Sequence, residues 1–182
     1  IDIGEAIENT ILLAKKKKIG KSLNEKLMIK KEKKIISNAS KNKCKIILPV
    51  DAVVASNLRE GGEFSEYNIE NIPNDGLILD IGKKSIAIID KEIAKTKEVL
   101  WCGPLGLFEQ SPFHVGTASV AKTLSKMTKN GKIISVAGGG DTVAAISQSN
   151  YVNDFTYIST AGGAFFVLLA GKKLPGIEVL RK

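Results

Sequence analysis

Val136-Ala137-Gly138-Gly139-Gly140-Asp141-Thr142-Val143-Ala144-Ala145 is the stretch on which the fold turns. It continues Lys132-Ile133-Ile134-Ser135-Val136-Ala137, a β-branched apolar run with the pattern of a buried strand. Beyond it, Thr142 to Gln148 reads as a short helix. Three glycines between them let the backbone turn tightly and let an anion approach the main chain. The N–H groups that open a helix, with the helix dipole behind them, favour a phosphate at that point. Asp141 suits two roles there. It can cap the helix, or it can hold a hydrated Mg²⁺, an ion that takes one or two protein carboxylates together with nucleotide phosphates. A glycine-rich strand-to-helix turn with a capping Asp accounts for the same residues without a ligand. No Gly-Lys-Ser/Thr follows the loop, so it is not a Walker A motif, and its spacing is not GxGxxG.

Working outward, similar runs predict further buried strands at Lys45–Val50, Glu98–Trp101 and Phe155–Ser159. Helical periodicity predicts helices over Glu5–Lys16, Leu23–Ser40, Ser85–Lys95, Gly116–Lys129 and Gly162–Ala170. Asn130-Gly131 is a good helix stop. Strands alternating with helices argue for a parallel sheet covered on both faces. Arg59 to Asp75 breaks that rhythm and predicts short edge strands or a surface excursion. No repeat and no linker stands out, so one domain over residues 1–182 is expected. Ile1-Asp2-Ile3-Gly4 looks like the end of a strand entering a helix, and the chain is expected to lack a segment on its N-terminal side.

Two more segments leave predicted strands at the edge where open α/β sheets hold ligands. In Trp101-Cys102-Gly103-Pro104-Leu105-Gly106-Leu107-Phe108-Glu109, the apolar Leu105, Leu107 and Phe108 could wall an adenine slot, and Glu109 could accept from ribose hydroxyls. A hydrophobic loop packed on the sheet is the alternative. Ser159-Thr160-Ala161-Gly162-Gly163-Ala164 repeats the anion-binding logic, or is a tightly packed helix start with a Thr cap. His114 has no partner motif and reads as a surface or helix-entry residue. Cys102 has no base beside it in sequence and reads as a packing residue.

Composition narrows the classes. The 182 residues are 43% hydrophobic and 25% charged, with two cysteines and one histidine. A disulfide scaffold, a zinc ribbon and a His-rich metal site are not expected. No apolar run approaches about 18 residues, so no transmembrane helix is expected. Residues 15–45 hold 13 of the 27 basic residues and only Glu25 and Glu32 as acids, a net +11 within a chain of +8. This reads as a solvated helix face, as a nucleic-acid patch, or as weak attraction for an anionic metabolite such as ATP. Arg59 and Arg181 are the only arginines, and the window has no aromatic residue to stack a base, which argues against nucleic acid.

In order and spacing the chain closely resembles the C-terminal half of phosphoglycerate kinase. The matching pieces are Ile19-Gly20-Lys21-Ser22-Leu23, Leu48-Pro49-Val50-Asp51-Ala52-Val53-Val54-Ala55, Leu79-Asp80-Ile81-Gly82, the Trp101–Glu109 segment, Gly138–Thr142, Ser159–Ala164 and Leu174-Pro175-Gly176-Ile177. The resemblance implies an α/β, three-layer Rossmann-like domain, its mostly parallel β-sheet covered by helices on both faces. It also implies the nucleotide-binding C-terminal domain of a two-domain glycolytic kinase, cytoplasmic and monomeric, with no membrane or nucleic-acid partner. Such a kinase moves a phosphoryl group between 1,3-bisphosphoglycerate and ADP, giving 3-phosphoglycerate and ATP. By resemblance Gly139, Gly140, Asp141 and Thr142 bind the phosphates of Mg-ADP or Mg-ATP, with Asp141 toward the metal. Glu109 holds the ribose, and Pro104, Leu105 and Leu79 line the adenine and sugar. Gly138, Gly162 and Gly163 lie near the transferring phosphate, and Ser159 and Thr160 belong to a stretch linked to domain closure.

The departures are specific. A family glycine triplet near the adenine aligns with Gly4-Glu5-Ala6, so two glycines are replaced. Cys102 stands where an asparagine is usual. The family's nucleotide-binding lysine, catalytic arginine and 3-phosphoglycerate patch fall upstream of Ile1. The chain is therefore expected to be inactive alone, since phosphoryl transfer depends on positioning and charge stabilisation. Two alternatives stand beside this reading: a non-catalytic remnant of a split or decaying kinase gene, and a basic nucleic-acid-binding module.

Overall fold

Two three-stranded sheets organise the chain, one antiparallel and one parallel. The computed structural model describes residues 5–59 and 61–181, so the strand end read at Ile1–Gly4 lies outside the described residues. The chain divides into two compact units, one of residues up to 95 with 104–120, the other of 96–103 with 121–182.

In the first unit, β1 (Asp51–Ala55) pairs antiparallel with β2 (Phe64–Asn68) on one side and β3 (Leu77–Ile81) on the other. The strand expected at Lys45–Val50 is displaced: Ile47 makes an isolated bridge, and regular pairing begins at Asp51. Pro49 is the physical reason. It has no N–H for a ladder and a fixed φ, so the strand starts after it. The polar excursion supplies β2, an edge strand as expected. The helices α1 (Glu5–Ala14) and α3 (Lys83–Ile93) fall near their expected places, whereas α2 (Ile29–Lys41) begins well after the expected Leu23, behind a 3-10 turn at Lys26–Met28. Leu12, Ile19, Ala52, Val54, Ile69 and Ile72 form one buried cluster. Each large aliphatic side chain so buried contributes roughly 1.5–3 kcal/mol.

The start of α3 is closed from a distance. Gly82, at its N-cap, has no side chain to offer. Instead Lys83 N–H donates to Glu66 Oε1 at 2.6 Å, Lys84 N–H to Asp51 Oδ2 at 2.9 Å, and Ser85 N–H to Asp51 Oδ1 at 2.8 Å. The Ser85 hydroxyl donates to the same Asp51 carboxylate. Burial works to raise the Asp51 carboxyl, but the Ser85 hydroxyl and the Lys84 and Ser85 N–H groups hold it below the usual carboxylate range.

In the second unit, β4 (Glu98–Cys102), β5 (Ile134–Gly138) and β6 (Tyr157–Ser159) run parallel in that order, as their apolar runs predict. The helix α4 (Val115–Lys129), which begins in the first unit and continues into the second, ends just before Gly131, whose φ of +64° makes the turn expected there. Next come α5 (Gly140–Gln148), packed on β5, then α6 (Gly163–Leu169) and α7 (Pro175–Leu180). Trp101, Leu124, Ile133, Ala137, Ile146 and Phe155 are buried, with the Trp101 and Phe155 rings 6.2 Å apart and tilted by 31°. The chain is thus an α/β protein with a parallel sheet flanked by helices. The antiparallel sheet of the first unit is an addition that strand-helix alternation does not reveal. Among the described residues no helix is long and apolar enough to cross a membrane.

Candidate functional site

The glycine turn after β5 divides its labour residue by residue. Gly138 ends the strand. A Cβ there would lie 2.7 Å from Phe165 Cδ1, so only glycine lets the Phe165 ring pack where it does. Gly139 has φ +100°, a backbone that side chains resist, and it occupies the N-cap of α5. Gly140 opens the helix with no atom within 4 Å of where a Cβ would stand. No side chain caps this helix. Asp141 is exposed and sits inside the first turn, one residue beyond the helix's opening glycine. The expected Asp141 cap is therefore corrected: the cap position falls on Gly139, and Asp141 contributes its charge to the first turn instead.

Thr142 is buried, and its Oγ1 accepts the Gly103 N–H at 2.7 Å. Gly103 O in turn accepts from the Trp101 indole N–H at 2.6 Å. These bonds tie the loop after β4 to the start of α5. The Thr142 hydroxyl keeps its own proton to donate. Cys102 lies at the end of β4 in register with Gly138. Its thiol is free and burial pushes it up, so it is no activated nucleophile. Cys44 is free as well, and no disulfide forms.

At the other loop of this unit, Gly162 caps α6 with φ +54°, and both Gly162 and Gly163 face open space. The Thr160 cap is corrected on the same ground, since Gly162 takes the position. Ser159 is buried and its Oγ accepts the Ala161 N–H at 3.3 Å.

In the first unit, the segment from Pro104 to Glu109 lies on β3. Leu107 N–H donates to Leu79 O at 2.8 Å, and Leu105 N–H to Thr117 Oγ1 at 2.9 Å. Pro104, Leu105 and Phe108 are buried, Leu79 and Leu107 half-buried, and Glu109 exposed. Leu105 and Phe108 thus serve the core of this unit, and Leu79, Leu107 and Glu109 reach its surface. His114 is half-buried, and its carbonyl accepts the Ala118 N–H, as a helix-entry residue does.

Asp80 lies in one of the matching pieces but has no role in the sequence reading. Only 1% exposed, it accepts from Gly116 N–H through Oδ2 at 2.7 Å and from Ile81 N–H through Oδ1 at 2.8 Å. Burial raises its carboxyl to about 7, against the two N–H groups that pull it down. The available signal was an acid inside an apolar run, Leu77-Ile78-Leu79-Asp80-Ile81.

The basic window stays largely a solvated face. Lys17 pairs with Glu70 and Lys45 with Glu92 at 2.6 Å, both at the surface. Among the described residues no three His, Cys, Asp or Glu side chains converge as a metal cage. Gly4 lies outside the described residues, as do the side chains of Glu5 and Ala6.

Comparison with known proteins adds an independent line. The phosphoglycerate kinase family model matches residues 1–172. Phosphoglycerate kinase of Methylorubrum extorquens is 48% identical over 179 residues, 98% of this chain and 45% of the relative. That of Bartonella quintana is 48% identical over 180 residues, 99% of this chain and 45% of the relative. Among solved structures, phosphoglycerate kinase from Coxiella burnetii superposes with a TM-score of 0.91 at 36% identity, covering 98% of this chain and 45% of that one. The enzyme from Pyrococcus horikoshii gives 0.77 at 28% identity, covering 99% and 44%. The chain spans about half the length of the curated relatives it matches.

Proposed function

Because the chain belongs to the phosphoglycerate kinase family, we propose that it is the nucleotide-binding part of a phosphoglycerate kinase, active only within the two-domain enzyme. In that reaction the bond from phosphorus to the carboxyl oxygen of 1,3-bisphosphoglycerate breaks. A bond from phosphorus to a β-phosphate oxygen of ADP forms, leaving 3-phosphoglycerate and ATP. The triose substrates fall to the family's other domain. The reading is that of a cytoplasmic, monomeric glycolytic transferase with no membrane or nucleic-acid partner.

The observation that supports it is the bare start of α5. Gly139 and Gly140 leave backbone N–H groups without a capping side chain, and open space lies at Gly140. An anion is the natural complement of such a terminus. Phosphates are assigned to Gly139, Gly140 and Thr142, with Gly138, Gly162 and Gly163 nearer the transferred group. Adenine and ribose are assigned to Leu79 and Glu109, with the buried Pro104 and Leu105 shaping the segment that carries Glu109. Mg²⁺ fits the donor chemistry at Asp141: one exposed carboxylate suffices when the nucleotide supplies the other oxygens. Bound there, the ion would neutralise phosphate charge. What the chain's own residues do is narrower: they fix the nucleotide and offer N–H groups to its phosphates.

The test is thermal unfolding of the chain with and without Mg-ADP, beside Asp141→Ala. A ligand that binds only the folded form raises Tm, by about 2.7 kcal/mol of stability at a hundredfold excess over Kd. The expected result is a rise that Asp141→Ala shrinks, with the ligand-free Tm lowered only slightly by the lost first-turn charge. No rise at millimolar nucleotide would favour the second reading, a non-catalytic remnant. Cys102 favours that reading, since by resemblance a thiol at the end of β4, in register with Gly138, stands where the family usually has an asparagine.

A further inference from the structure

Asp80 is used by nothing above, yet its carboxyl is among the most deeply buried polar groups of the first unit. On its own strand no other side chain titrates, and β1 sets Val53 opposite it. From the other side come two glycines. A Cβ on Gly106 would lie 2.5 Å from Asp80 Oδ1, and a Cβ on Gly116 would lie 2.3 Å from the same atom. The carboxyl is therefore wedged between two turns of the returning segment, both of which need glycine to admit it. The charged and titratable groups nearest it along the packed elements are Asp51 on β1, Glu109 and His114 on the returning segment, and Lys83 and Lys84 beyond Gly82, with Asp90, Lys91 and Glu92 farther along α3 and Lys122, Lys126 and Lys129 farther along α4. None of them hydrogen-bonds or ion-pairs with Asp80, whose partners are the N–H groups of Ile81 and Gly116.

We infer that Asp80 is a proton-linked positioning residue: its buried carboxyl seats the Pro104–Glu109 segment on β3, and the segment lifts only by hydrating that carboxyl. The functional meaning rests on the proposed reading, because the seated segment carries Pro104, Leu105 and Glu109 and bonds directly to Leu79. The seating rests on the geometry around Gly106 and Gly116, and its proton linkage on the raising of the Asp80 carboxyl by burial.

Its sign follows from linkage. In water a carboxyl titrates at about 4, and in the seated segment at about 7. Between those values the seated form keeps a proton that the lifted form has lost. Lifting then releases a proton and grows roughly tenfold more favourable per pH unit. Above about 7 both forms are ionised and the dependence levels off. Seating is thus most secure in acid and weakens as pH rises toward neutrality, the reverse of an ordinary paired carboxylate.

The experiment is amide hydrogen exchange of the whole chain at Leu107 and Gly116, from about pH 5 to about pH 9, in the regime where opening is a pre-equilibrium. Exchange chemistry alone speeds roughly tenfold per pH unit. The expected wild-type profile therefore climbs about a hundredfold per unit below pH 7 and about tenfold above it. Asp80→Asn cannot titrate, and its profile should climb about tenfold per unit throughout. A wild-type profile without a break overturns the inference, and so does an Asp80→Asn protein that keeps the break, since another group would then be titrating. If Asp80→Asn fails to fold, the wild-type break decides. Saturating Mg-ADP separates the two readings. Slower exchange at both amides supports the nucleotide role. Unchanged exchange with the break intact leaves the latch standing and sinks that role; slowed exchange without a break does the reverse.

Discussion

At the start of α3 three backbone N–H groups meet carboxylate oxygens of Asp51 and Glu66, and at the start of α4 the Gly116 N–H meets Asp80. The start of α5, in the second unit, meets no capping side chain. The same structural problem, orphan donors at a helix N-terminus, has two solutions in one chain. Where the chain supplies the acceptor, the bond holds the fold together. Where it supplies glycine, the donors remain for something else. A helix terminus is therefore informative only when its neighbours have been asked what already fills it.

The comparison breaks most readily at Asp51. Asp51→Ala would strand the Lys84 and Ser85 N–H groups and the Ser85 hydroxyl, at a cost of about 3 kcal/mol in denaturant unfolding. Because its folded carboxyl lies below the usual range, its contribution is complete above the ordinary carboxylate pKa and is lost as pH falls through the folded value. Wild-type protein should thus lose more stability on acidification than Asp51→Ala does. An unaltered acid limb would remove Asp51 from the account. At the open terminus, Gly139→Ala tests the opposite case. With φ at +100°, the substitution should cost about 1–2 kcal/mol and also blunt the Mg-ADP rise in Tm. A fully retained rise would mean that this backbone does not meet phosphate. The smallest effect belongs to the surface. Glu92 pairs with Lys45 and Lys95 in solvent, and Glu92→Gln should leave the unfolding midpoint where it is. A large shift there would show that exposed pairs, and not the buried carboxylates, hold the first unit.

The parallel sheet and the glycine turn were legible because their signals are local. A β-branched run, three glycines and a helix lie within a few residues of one another, and the chain need only continue for the turn to form. The buried carboxylates were not legible as devices, because their partners lie far off. Asp51 answers Lys84 and Ser85, and Asp80 answers Gly116. An acid within Val50-Asp51-Ala52-Val53 or Ile78-Leu79-Asp80-Ile81 says that something must satisfy it, without saying what. The strand start at Asp51 was misread because the apolar run through Lys45–Val50 outweighed Pro49. Leu105 and Phe108 show a further limit: the same apolar side chains suit a ligand slot and a core, and only tertiary packing distinguishes them.

The order in which the chain visits its two units has a consequence for inheritance. The first unit takes residues up to 95 and 104–120, the second 96–103 and 121–182. Their segments alternate, so no single crossover in the gene can exchange one unit and spare the other. A junction at residue 120 would carry β5 and β6 into a new protein and leave behind β4, the strand that pairs with β5. The two units are therefore interleaved along the chain, and a single junction at residue 120 divides the parallel sheet.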